Sequence, residues 1–231
     1  ICKPCIYKLP LGLFDSVMPN AQVIFPYTIN DGKAEVFSED YFVENFPLTW
    51  AYLNNYKAIL VKRSINAPNP KWYQFGRTQS LTDFHNTDKL VWHVLSTKPT
   101  YILDTLNLQV TGGGNGPYYS LISRSDYSPL YILGILSHPL FEAMVKAGAS
   151  EFRGAYYSHG KQFIENLPIR QIDFADKTQV KQYNEIVKTV SQLITAKHGY
   201  NQVYIKEKKR VFERKIDFLF DKLIMHINIL Y

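Results

Sequence analysis

Residues 22–37 read QVIFPYTINDGKAEVF. Two β-rich runs, Gln22 to Thr28 and Ala34 to Phe37, flank the turn Asn30-Asp31-Gly32-Lys33. Asp-Gly readily takes the left-handed backbone that a tight two-residue hairpin demands, so the stretch predicts an antiparallel hairpin. Ser38 follows as an N-cap, Glu39 and Asp40 suit a first helical turn, and Tyr41, Phe42, Val43 and Phe46 extend the helix to Pro47. A hairpin running into a helix makes the class mixed: an α/β (α+β) globule.

Working outward, Trp50, Leu53, Tyr56, Ile59 and Leu60 recur at steps of three and four and predict one helix from Leu48 to Arg63. Ser64 to Pro70 (SINAPNP) is loop. Leu90 to Leu95, Thr100 to Leu103, Gln109 to Thr111 and Tyr118 to Ile122 read as strands, and Leu130 to Ala147 as one helix. After Pro168 the pattern changes. Val180, Tyr183, Val187, Val190 and Ile194, widened by Ile186 and Leu193, predict an amphipathic helix of about 20 residues, roughly 30 Å long. A turn at His198-Gly199-Tyr200-Asn201 follows, then a second stripe of Phe212, Ile216, Leu219, Leu223 and Ile227. The organisation expected is a globule over 1–175 and a C-terminal amphipathic helical hairpin over 176–231, for packing or linkage.

The 231 residues, 46% hydrophobic and 20% charged, are far from the composition of a disordered chain, and should bury about 70 to 75% of the surface exposed on unfolding. Every apolar run is interrupted before the roughly 18 residues a membrane span needs, so no membrane partner is expected. Cys2 and Cys5, in CKPC, lack a second pair at zinc-ligand spacing and cannot build a disulfide framework; a reducing cytoplasm fits them best. With no initiator Met and no signal-like start, the chain reads as a fragment. Its net charge of +6 is uneven: residues 1–160 hold 13 Lys and Arg against 12 Asp and Glu, residues 161–231 hold 13 against 8. A run such as Lys206 to Arg210 (KEKKR) reads more readily as a solvated helix face than as a binding patch.

Recognisable catalytic sets are missing. No Walker lysine follows the glycines of TGGGNGPYY (Thr111 to Tyr119), no HxxxH pair joins the six histidines, no GxSxG occurs, and Glu207-Lys208-Lys209 lacks an acidic partner on a preceding strand. What remains is two segments in which bases, amides and aromatics interleave: KWYQFGRTQ (Lys71 to Gln79) and EFRGAYYSHGKQ (Glu151 to Gln162). Arg and Lys neutralise phosphates or meet guanine edges, Gln and Asn suit adenine, and aromatics stack on sugars or bases. The competing reading makes Trp72, Tyr73, Phe75, Tyr156 and Tyr157 core, with Arg77 and Arg153 hydrogen-bonded to loop carbonyls.

Five blocks in order tip this balance: FPYTINDGK (Phe25 to Lys33), FPLTWAYL (Phe46 to Leu53), KWYQFGRTQSL (Lys71 to Leu81), GGGNGPYY (Gly112 to Tyr119) and EFRGAYYSHGKQFIENLPI (Glu151 to Ile169). Over residues 22–172 the chain resembles the C-terminal target-recognition region of adenine-specific DNA methyltransferases of bacterial restriction-modification systems. It looks most like the TaqI-like and fused restriction-methylation enzymes and, more distantly, like type I specificity subunits. The resemblance implies a duplex DNA partner and a methyltransferase catalytic domain or subunit elsewhere. S-adenosylmethionine, with magnesium if the parent also cleaves, belongs to that parent and no cofactor to this fragment. The family's cofactor glycines and Asn-Pro-Pro-Tyr motif have no counterpart; the nearest string is Asn69-Pro70-Lys71-Trp72.

Because family members read different sites, shared blocks imply scaffold or phosphate contacts, here Lys71, Tyr73, Arg77, Asn115, Arg153, Tyr157 and Lys161. Base readers are expected between them: Arg63, Asn66, Asn69, Gln74, Gln79, His85, Asn86 and Arg124, with Lys71 a further candidate. Ser158-His159-Gly160 departs from the family, which often has a basic or polar residue and then a serine there. The alternative function is a non-enzymatic interaction domain that docks a partner through its helical tail.

Overall fold

A computed structural model describes residues 1–77, 81–82, 87–110, 117–123, 126–203 and 206–230, without the side chains of Glu207 and Phe212. The deciding hairpin is β3 (Tyr27–Asn30) paired with β4 (Lys33–Val36), in register Asn30↔Lys33 and Tyr27↔Val36. Asp31 and Gly32 take φ of 48° and 72°, the two left-handed residues of its turn. The run before it does not continue as one strand. β1 (Cys2–Cys5) pairs with β2 (Ala21–Ile24), and the chain breaks at Phe25-Pro26, where proline supplies no ladder N–H.

Helix α1 (Glu39–Asn45) is capped by Ser38, whose Oγ accepts the Tyr41 N–H at 3.2 Å. The predicted helix 48–63 is instead α2 (Pro47–Asn54) and α3 (Lys57–Leu60). Trp50 and Leu53 pack on an aromatic cluster around Phe37, Phe42 and Tyr73, whereas Ile59 is 66% exposed. The apolar period outlasts the surface it would bury against, so nothing holds the helix straight beyond Asn54.

The centre of the molecule is β5 (Lys89–His93), followed by β6 (Leu95–Ser96), β7 (Ile102–Asp104) and β8 (Tyr118–Leu121); β5 lies between β7 and β8, all antiparallel. Strand alternation sends Leu90 and Trp92 into the main core and Val91 into a smaller one with Ile6, Leu11, Ile102, Leu108 and Tyr118. Of the strand expected at 109–111, Gln109 forms a single bridge to Cys5, Val110 lies in no strand, and Thr111 lies outside the described residues.

The predicted helix 130–147 is two, α4 (Pro129–Leu136) and α5 (Pro139–Gly148), bent by 68°. Pro139 cannot continue α4, and His138 turns extended and caps α5, its Nδ1 accepting the Leu140 N–H at 3.1 Å. No single described helix is long and apolar enough to cross a membrane. Then come β9 (Glu151–Phe152) and β10 (Tyr156–Ser158), with β10 also paired to β6, and the short α6 (Lys161–Ile164).

α7 (Lys177–Gln202) and α8 (Lys206–Leu230) form the helical hairpin of the tail. The turn expected at 198–201 lies inside α7. There Asn201 Nδ2 donates to Asp15 Oδ1 at 3.1 Å, a tertiary contact that outweighs the weak helix propensity of Gly199 and Asn201. Ile186, Val190 and Leu193 of α7 and Leu219, Leu223 and Ile227 of α8 share one apolar cluster with Tyr131, Leu133 and Ile135 of α4. The main core thus runs across residue 175.

Histidines give this fold an acid limit. His93 Nε2 accepts the Leu11 N–H at 3.0 Å, and both this role and the His138 cap need an unprotonated ring nitrogen. Burial lowers the pKa of His93, His138 and His226 below their ordinary value of 6.5, with Lys222 adding to the effect at His226. Depressed folded-state values mean that stability is present above pH 6.5 and lost as pH falls through them. Melting temperature should therefore hold between pH 7 and 8 and decline below about 6.5, less steeply in His93→Gln. A pH-independent melting point down to pH 5 would contradict it.

Candidate nucleic-acid interface

The segment from Arg63 to Arg77 is irregular but internally tied. Arg63 donates from Nε to Leu60 O (3.2 Å) and from Nη2 to Trp72 O (2.9 Å) and Gln74 O (3.0 Å). The Gln74 side chain, 4% exposed, accepts the Lys71 N–H at 2.9 Å, and the Asn66 N–H donates to Gly76 O at 2.9 Å. Beneath it Trp72 packs against Trp50 (5.3 Å) and Tyr73 against Phe42 (5.2 Å). Tyr73 donates to Phe37 O at 2.7 Å, and burial, with Glu39 nearby, pushes its hydroxyl up to about 12. Phe75 N–H reaches the Tyr27 hydroxyl at 2.7 Å, tying the loop to the hairpin. Asn66, Asn69, Lys71 and Arg77 stay exposed, with Asn69 at φ 49°. Among the described residues their side chains accept or donate no hydrogen bond.

The second segment is a β-hairpin, β9–β10, turning through Arg153, Gly154 (φ 85°) and Ala155 (φ 60°). Tyr156 pairs across from Phe152, so the two rings share one face and are 45% and 50% exposed. On the other face Tyr157 donates to Glu151 Oε2 at 3.1 Å, and Lys146 Nζ lies 5.3 Å from the Tyr157 ring centre. Arg153 is exposed at the tip; Lys161 is exposed at the start of α6, 3.5 Å from Glu165.

What fixes this hairpin is His159, 1% exposed. Its Nε2 lies 2.9 Å from Glu142 Oε2, its Nδ1 3.2 Å from both Ser96 Oγ and Tyr157 O, and its carbonyl accepts Trp92 Nε1–H at 2.8 Å. Ser96, His159 and Glu142 thus stand in line as a hydrolytic triad would. Each is less than a tenth exposed, so the line braces β10 against β6 and α5 and offers no hydroxyl to a substrate.

The structure therefore joins Arg63, Asn66, Lys71, Tyr73 and Gln74 in one loop and Arg153, Tyr157 and Lys161 around one hairpin. Gln79, His85, Asn86, Asn115 and Arg124 lie outside the described residues. Trp72, Tyr73 and Phe75 are core-side, as the competing reading held; of its other two aromatics Tyr157 is half-buried and Tyr156 is exposed. The carbonyl-binding arginine is Arg63. The bracing pair Glu142 and His159 left no signal in the sequence, being separated by 17 positions.

No family model matches the chain. It is similar to the type II restriction enzyme and methyltransferase RM.Eco57I of Escherichia coli, with 27% identity over 212 residues covering 88% of this chain and 21% of that protein. The chain thus spans about a fifth of the length of the curated relative it matches. The similarity supports a role in a restriction-modification system.

Proposed function

We propose that this chain recognises a duplex DNA site and positions it for an adenine methyltransferase, and for a nuclease, held in another part of a cytoplasmic restriction-modification enzyme. One observation carries the reading. The 63–77 loop is pinned from within by Arg63 and Gln74, yet it presents Asn66, Asn69, Lys71 and Arg77 outward. A basic and amide-bearing protrusion ordered before its ligand arrives loses little entropy on binding. In this reading Arg63, Gln74 and Tyr73 position the loop, Lys71 and Arg77 hold phosphates, and Asn66 and Asn69 reach base edges. Arg153, at a hairpin tip braced by His159, makes a second backbone contact with Tyr157 and Lys161 beside it. Gln79, His85, Asn86, Asn115 and Arg124 stay candidates for the same interface. S-adenosylmethionine, with magnesium if the parent also cleaves, falls to the catalytic part.

The test is binding to duplex DNA across a salt series. With residues 1–160 nearly neutral, affinity should fall with log salt at a slope of roughly −3 to −6. Arg77→Ala and Lys71→Ala should weaken every sequence alike and flatten the slope by about one each. Asn66→Ala or Asn69→Ala, in the complete enzyme, should remove about 1–3 kcal/mol of discrimination at a single base pair. Salt-independent binding, or none, would refute the proposal.

A further inference from the structure

Helix α8 has two apolar faces. Leu219, Leu223 and Ile227 are buried in the main core. Val211, Phe218, Met225 and Ile229 are 64%, 68%, 50% and 59% exposed. At about 100° per residue these four span roughly 40° of the helix surface, some 135° round from the buried face, and run for about 27 Å. Isolated exposed apolar residues need no explanation, but four aligned at steps of seven, seven and four make a seam fitted to another helix.

The charges bordering the seam say what that helix is. Arg214 and Lys222 lie nearest it, about 20° off either side, with Lys215 and Asp221 about 40° off and Glu207 among Lys206, Lys208, Lys209 and Arg210 in the turn before; α8 as a whole carries seven basic residues against four acidic. Lys222 is 3.6 Å from Glu185 of α7; Arg214 and Lys215 make no ion pair among the described residues. A second copy of the chain fits poorly. Parallel pairing sets Arg214 on Arg214, and antiparallel pairing about Phe218 sets Arg214 against Lys222. Duplex DNA would match the charge but leave Phe218, Met225 and Ile229 on phosphates. An anionic bilayer prefers an apolar face broader than a line one residue wide.

We propose that the outer seam of α8 docks an amphipathic helix whose flanks are acidic. This is a protein contact, separate from the DNA interface and independent of it. The probe is a 24-residue helical peptide, on the order of 36 Å long, with leucine at the seam positions and glutamate on both flanks, compared with its lysine-flanked counterpart. The glutamate peptide should bind the 231-residue chain about tenfold more tightly or better, and Phe218→Glu should abolish binding without changing the melting temperature. Equal affinity for the two peptides, or for neither, overturns the proposal. So does concentration-dependent self-association that Phe218→Glu removes, or stronger binding to phosphatidylglycerol vesicles than to the peptide. Duplex affinity of Phe218→Glu should match the parent chain, so failure here leaves the DNA reading standing and failure there leaves this one.

Discussion

Gly134→Leu is expected to lower the melting temperature by about ten degrees or more, a loss of roughly 3 kcal/mol or beyond. A Cβ at Gly134 would stand 2.9 Å from Ile186 Cγ2, 3.0 Å from Val190 Cγ2 and 3.4 Å from Leu223 Cδ1. It is the point where α4 meets both tail helices. Ile186 and Val190 are fully buried and β-branched, so neither methyl can swing aside at low cost. Alanine tests the same point more gently. Its helix propensity gains about 1 kcal/mol over glycine, which offsets part of the overlap and leaves a loss of about 1 kcal/mol. Thermal unfolding of the two variants checks both values. A Gly134→Leu protein as stable as its parent would mean that the tail does not close on α4.

That junction also marks where sequence reading stops. The stripes of α7 and α8 are legible because each helix repeats its own buried face, Ile186, Val190 and Leu193 on one and Leu219, Leu223 and Ile227 on the other. Which surface they cover is a long-range matter that no local period encodes, and Gly134 looks like any helix glycine until the neighbours are known. The breaks at Pro139 and after Asn54 divide along the same line. A proline inside an apolar helix pattern is a break signal, so Pro139 marks where the helix read as one over 130–147 divides, although not the 68° of the bend. The end of α2 has no such signal, because Tyr56, Ile59 and Leu60 keep the period and only the absence of a surface to pack on ends the helix.

At the candidate interface, composition separated polar from apolar residues but not holders from presenters. Arg63, Gln74, Asn66 and Lys71 are equally suitable for a base edge by chemistry. Two of them are spent inside the loop, Arg63 on carbonyls of Trp72 and Gln74 and Gln74 on the Lys71 N–H. The exposed aromatics reversed expectation for a similar reason. Trp72 and Tyr73 have Trp50 and Phe42 to pack against, while Tyr156 and its cross-strand neighbour Phe152 face outward on the β9–β10 side of a small three-stranded sheet whose other face meets Lys146.

The largest single loss is expected from Asp104→Ala, about 3–5 kcal/mol. Asp104 pairs with Lys89 across β5 and β7, and both side chains are essentially inaccessible. The carboxylate also accepts the Leu106 N–H at 2.8 Å on Oδ1 and the Leu108 N–H at 2.9 Å on Oδ2. Alanine would leave a buried ammonium without its carboxylate and two N–H groups without an acceptor, each costly on its own. Leu108 belongs to the small core with Val91 and Ile102, and Gln109 next to it bridges to β1, so the damage should spread to the chain's first strand. Asp104→Asn keeps an acceptor while removing the charge and should cost less. Lys89→Met combined with Asp104→Asn should be more stable than the two single losses added together, because each single change strands a polar group that the pair does not. Urea unfolding of the parent and the four variants decides this. Strict additivity, or an Asp104→Ala loss below about 1 kcal/mol, would mean that packing of Val91, Ile102 and Leu108, and not the buried pair, holds β7 on β5.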